Sequence, residues 1–171
     1  MAESAPARTI ARGGMIVLLT VLGLYLVNVF PTVKIFLFSF STAFLALMVI
    51  EDGKRAAVLT FLATALLGLI LVPNKVVMLP YILYFGYYGI IKSIFEQRAS
   101  ILQEWLLKYF SFNLALLLFY IAGKFIFSLP LESKFPLLFL CLLGQFYFFI
   151  YDYAYSLFIS YYHRYRRLIK K

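Results

Sequence analysis

Apolar stretches of 16–25 residues alternate along this chain with short polar gaps that hold most of its charge. That alternation decides the solvent before any fold is considered. The hydrocarbon core of a bilayer takes about 20 residues of apolar helix, with roughly 17–25 as the working range. Of the 171 residues, 64% are hydrophobic and 13% charged, against about 25% charged in an ordinary soluble domain. A water-soluble fold of this size has too little interior for that much apolar surface. The expectation is an all-α, polytopic transmembrane helical bundle.

Six runs are read, near residues 14–32, 35–50, 56–72, 76–94, 107–128 and 136–160. They define a membrane domain over 14–163, between a polar N-terminal segment (1–13) expected to be disordered and a basic tail (164–171). No small-residue cleavage site follows the first run, which is therefore read as an uncleaved span. Pro31 with Lys34, the stretch Glu51-Asp52-Gly53-Lys54-Arg55, Pro73-Asn74-Lys75 and Pro130 to Pro136 supply turn chemistry between runs. The runs at 14–32 and 35–50 are the least secure as complete spans.

Charge tests the count. With both termini cytoplasmic, the inner segments hold Arg8, Arg12, Lys54, Arg55, Lys92, Arg98, Lys108 and five tail cations, twelve in all. The outer segments hold Lys34, Lys75, Lys124 and Lys134. Twelve against four is the positive-inside pattern and predicts six spans. Because the cations are spread over short inter-span segments, nucleic acid is not an expected partner; the bilayer is. Residues 92–110 put Ile94, Phe95, Ile101, Leu102 and Trp105 on one helical face, with Glu96, Arg98, Gln103 and Glu104 largely opposite. This predicts a surface-lying amphipathic segment near 95–106, with Trp105 at headgroup depth.

Few residues carry chemistry. Cys141 and His163 each stand alone, so no disulfide, metal cluster or cofactor is expected, and no catalytic constellation or phosphate-cradling loop is present. The chain is not read as an enzyme. Ala56, Thr60, Thr64 and Gly68 recur every four residues and make a smooth groove for helix packing or a membrane partner. Ionisable groups inside lipid cost roughly 2.5–3.5 kcal/mol each on insertion scales and so carry more information. Asp152 shares a polar stripe with Gln145, Ser156 and Ser160, which predicts an inward-facing carboxylate with Lys92, Lys54 or Arg55 as partner. Lys124 either snorkels outward or offers a cation to an anionic ligand.

The turn EDGKRAAVLTFLATALLGLIL, the glycine-bearing YFGYYGIIKS and the ending IYDYAYSLFISYYHRYRRL resemble the substrate-binding S components of energy-coupling-factor transporters. The resemblance spans roughly residues 15–167. It implies a subunit of a bacterial plasma membrane that captures a vitamin-like solute. A transmembrane coupling subunit and separate ATPases would then deliver it. On that reading Asn28, Tyr84, Tyr120, Lys124 and Gln145 are the outer-half candidates for the ligand, with Lys124 suited to an anionic group. The alternative is a non-catalytic scaffold or assembly subunit of a larger complex, such as cell-envelope machinery.

Overall fold

A computed structural model describes residues 4–97, 100–128 and 137–169. Arg98, Lys134, Lys170, Lys171 and the connection from Pro130 to Pro136 lie outside the described residues. Every regular element among them is helical, as hydrocarbon requires of a chain that must satisfy its own backbone polar groups. Four stretches are long and apolar enough to cross a membrane: Pro6–Val29, Lys34–Leu71, Lys75–Phe95 and Ile101–Ile126. Large side chains such as Leu18 (66% exposed) and Ile70 (74%) stand on the surface, compatible with a multi-pass membrane protein.

The chain divides into two units, residues 1–129 and 130–171. In the first, α1 runs Ser4–Val29 and α2 runs Lys34–Leu71. A straight helix of 38 residues would be about 57 Å long, nearly twice the hydrocarbon thickness. It is not straight. Gly53 sits at φ 87°, ψ 174°, a region essentially closed to other residues. Phe38 from the start of α2 and Val72 just past its end join one core with Leu24 and Val27. Residues 34 apart in one straight helix would be about 51 Å apart, so α2 is a hairpin of two arms meeting at Gly53. The runs expected at 35–50 and 56–72 are these arms.

Two further helices complete this unit. The third, α3 (Lys75–Phe95), opens with a short tight turn capped by the Asn74 side chain, which accepts from Val76 N at 3.0 Å. It continues through a π-helical turn at Tyr81–Phe85. Ile90 near its end packs with Ile16, Leu45, Met48 and Ala57, while Met78 near its start joins Leu24 and Val72. It therefore runs antiparallel to the second arm. The fourth, α4 (Ile101–Ile126), returns alongside it, with Phe112 against Tyr84 at 5.4 Å between ring centroids. Successive rods alternate in direction, as short connections dictate.

The second unit contains α5, Leu137–Ile169. Its unbroken helix places Gln145, Asp152 and Ser156 along one stripe, and Ser156 Oγ donates to the Asp152 carbonyl at 2.8 Å.

Three boundaries differ from expectation. The segment 1–13 is helical from Ser4, because Thr9 and Arg12 are tied to Asp52. The amphipathic segment near 95–106 is not one surface helix. α3 ends at Phe95 and α4 begins at Ile101, so its two halves belong to different rods. The tail from 164 continues α5 to Ile169, with Arg166 and Arg167 in the last turn, where cations complement the helix dipole.

Two glycines are indispensable for different reasons. At Gly53 an added Cβ meets no atom, but the backbone disfavours any L side chain; at Gly86 it would stand 2.6 Å from the Phe61 ring and 2.7 Å from the Tyr81 carbonyl. Gly53→Ala and Gly86→Ala should each lower stability by about 1–3 kcal/mol. Gly23, whose Cβ would meet open space, should accept alanine without loss. Thermal unfolding in detergent reads all three.

Candidate functional site

Charge in the first unit collects at one end. There the start of α1 meets the α2 turn: Arg12 Nη1 reaches Asp52 Oδ2 at 2.6 Å and Glu51 Oε2 at 3.6 Å, and Thr9 Oγ1 donates to Asp52 Oδ1 at 2.6 Å. At the same end α3 passes to α4 through a second cluster. Lys92 and Lys108, each about 1% exposed, share Glu96 Oε1 at 2.8 and 3.0 Å. Lys108 also holds Glu104 at 2.5 Å and lies 5.4 Å from the centre of the Trp105 ring. Lys54 Nζ donates to Gln97 Oε1 at 2.9 Å. Two buried ammonium groups are tolerable only with such partners.

Lys108 and Arg12 are the residues that sequence reading undervalued, having been counted as ordinary inner cations. The signal was present for Lys108: Glu104 and Lys92 stand four residues from Lys108 and Glu96 respectively, the spacing of helical ion pairs. Nothing local predicts Arg12 with Asp52, since the pair spans 40 residues.

The residues proposed for a ligand are spread out. Asn28 donates to the Leu24 and Tyr25 carbonyls of its own helix at 3.3 and 3.2 Å. Tyr84 is 6% exposed among the rings of Phe85, Tyr88 and Phe112. Tyr120 and Lys124 are exposed, with the ammonium 5.8 Å from the Tyr120 ring centre and 6.0 Å from that of Phe125. About 18 Å of helix rise separates Lys124 from Phe112, the ring that Tyr84 touches. Asn28, Tyr84, Tyr120 and Lys124 therefore do not form one site as the first unit stands. Gln145 belongs to the second unit. Tyr84 and Lys124 do share one unusual property. Each lies inside a π-helical turn, at Tyr81–Phe85 and Ala122–Ile126, closed by bonds from Gly86 N to Tyr81 O (2.7 Å) and Phe127 N to Ala122 O (3.2 Å).

The small-residue stripe lies inside the first unit. Thr60, Thr64 and Gly68 are buried and Ala56 is half-buried. Thr60 and Thr64 hydroxyls donate to carbonyls one turn back at 2.9 and 2.8 Å, and Tyr81 shares a hydrogen bond with Thr64. Gly68 leaves room for Met78, whose Sδ stands 2.9 Å from where a Cβ would be. Beside this stripe an open groove of about 860 Å³ runs between α1 and the second arm, from Thr9 and Ala56 to Tyr25 and Leu71. None of the five ligand candidates lines it.

No family model, curated protein or solved structure matches this chain.

Lys108→Met keeps the stem and removes the charge. It should cost about 1–3 kcal/mol, below the 3–5 of a fully enclosed pair, because the Glu96 side chain is 39% exposed. Lys124→Met should stay within about 0.5 kcal/mol. Chemical denaturation of the two variants side by side checks this contrast.

Proposed function

We propose that this protein is a bacterial plasma-membrane subunit of six crossings with both termini cytoplasmic. It captures a small vitamin-like solute and works with separate coupling and ATP-hydrolysing subunits, catalysing no reaction itself. The topology is supported by the alternating rods of the first unit. They carry Arg8, Arg12, Lys54, Arg55, Lys92 and Lys108 to one end and Lys34, Lys75 and Lys124 to the other. Six cations against three is the asymmetry of an inward-facing end. Residues 137–160 of the sixth apolar run lie in α5, whose 33 residues exceed the length a crossing needs.

One observation carries the capture reading. The two π-helical turns of the described residues hold Tyr84 and Lys124, two of the residues that the resemblance to S components singles out. Such turns are rare and frequently mark functional positions. Binding would have to draw these residues into one pocket, as expected for a subunit that changes conformation during transport. The assembly-subunit reading is favoured by a different observation: the two ion-pair clusters clamp the rods at one end, as suits a rigid docking platform.

A thermal-shift screen of the purified protein against water-soluble vitamins separates the two. Capture predicts that one of them raises Tm by several degrees, and that Tyr84→Phe or Lys124→Ala reduces the shift. A flat response across the panel, with envelope proteins rather than ATPases co-purifying, would leave the assembly reading in possession.

A further inference from the structure

Over its 33 residues α5 is about 50 Å long, whereas hydrocarbon takes about 30 Å of a helix. Its exposed face shows where the surplus goes. Leu142, Phe146, Ile150, Leu157, Tyr161 and Leu168 are each at least 49% exposed. They recur at steps of four and seven and so make one apolar ridge. From Leu142 to Leu168 the ridge is about 39 Å long, which leaves about 9 Å of it outside the hydrocarbon. The two ends differ in composition. Around Leu142 the sequence is LLFLCLLG, while from Ser160 it is SYYHRYRRLI, rich in the tyrosine and arginine that favour the headgroup layer. The surplus is at the Leu168 end.

Arg164 stands in that surplus. It is exposed and falls three residues past Tyr161 and four before Leu168, which puts it on the ridge itself. Arg167 is exposed one turn further on, so two guanidinium groups are neighbours along the helix surface. No acid of α5 neutralises them. The sequence from 153 to 171 holds none, and Asp152 is buried and about 18 Å of helix rise below Arg164. The helix dipole supplies roughly half a negative charge at this end, against three positive ones from Arg164, Arg166 and Arg167.

The medium along the ridge identifies the occupant. An apolar face continuous with a membrane crossing is covered by acyl chains, and at its end the same molecules present their headgroups. A guanidinium fork matches phosphate oxygens, and the arginine stem lies along the apolar ridge while its head reaches them. Two neighbouring cations favour a lipid of net negative charge over a zwitterionic one. We infer that Arg164 and Arg167, with the ridge from Leu157 to Leu168, form a seat selective for anionic phospholipid. The seat rests on α5 crossing the membrane, as proposed above.

Trp105 is the chain's single tryptophan, so Trp105→Phe gives a dark background for a reporter. Leu157 lies about 10 Å below Arg164, and Leu142 about 22 Å beyond Leu157, in the opposite leaflet. Full chains carrying Leu157→Trp or Leu142→Trp are reconstituted in mixed phosphatidylglycerol and phosphatidylcholine, with one lipid or the other brominated midway along an acyl chain. At 157 phosphatidylglycerol should quench as a lipid held about five-fold more tightly than phosphatidylcholine; at 142 the two should quench alike. Arg164→Gln with Arg167→Gln should bring 157 to the same parity, with helical circular dichroism unchanged. Arg164→Lys with Arg167→Lys keeps both charges and should retain most of the preference. Inorganic phosphate, compared with sodium chloride at equal ionic strength, should leave it intact. Parity at 157 with both arginines present, as an acidic protein occupant would give, overturns the seat. So does an equal preference at 142, a preference that survives the glutamine pair, or one lost to phosphate alone. Absence of quenching at both reporters by either lipid would instead overturn the crossing of α5. Vitamin capture is read by a separate assay and is untouched by these results.

Discussion

The first unit hangs on the reversal at Gly53. Without it α2 would be a rod about 57 Å long, too long for one crossing and carrying five charged or turn residues through its middle. The left-handed backbone at Gly53 turns those residues into an end. Asp52 then meets Arg12 and Thr9 of α1. This clamp sets the register of α1 against both arms: Gly13 falls opposite Met48 and Thr60, and Leu24 near Gly68. Met78 enters at Gly68 and fixes where α3 begins its return. One bond-rich corner thus determines the depth at which four rods are aligned. The apolar contacts alone, between side chains of similar shape, would leave that alignment free to slide.

The parts legible in sequence are those governed by local rules. Hydropathy marked the stretches that become the long apolar helices of the first unit, and EDGKR was readable as a turn because acid, glycine and base there cannot lie in hydrocarbon. Boundaries were less legible. The polar start of α1 looks disordered when its partners are ignored, since Thr9 and Arg12 gain their role from Asp52 some forty residues away. The segment 92–110 has a convincing amphipathic face on paper. Among its described charges, however, Lys92, Glu96, Glu104 and Lys108 pair with one another around the α3–α4 connection. The ligand candidates were selected by polarity and depth, which do not reveal direction around a helix axis. Asn28 and Lys124 illustrate the loss: one is satisfied by its own backbone, and the other lies over exposed rings.

Polar groups in hydrocarbon explain what the groove and the π turns have in common. In water a widened turn exposes a carbonyl that a solvent molecule can satisfy; in lipid the same carbonyl costs several kcal/mol unless the protein supplies a donor. In α3 that donor is built in, because the Tyr87 hydroxyl bonds the Leu83 carbonyl beside the i−5 bond of Gly86. Phe61 is packed into the space that a side chain at position 86 would need. The turn is therefore held by a hydroxyl, a missing Cβ and an aromatic ring together, from two different rods. A feature supported from three sides is fixed by the packing of both rods, and Tyr84 is held within it. The groove obeys the same rule in reverse. Both threonine hydroxyls that touch it are already bonded within the protein, so it can lie open to alkyl chains without leaving either donor stranded in lipid.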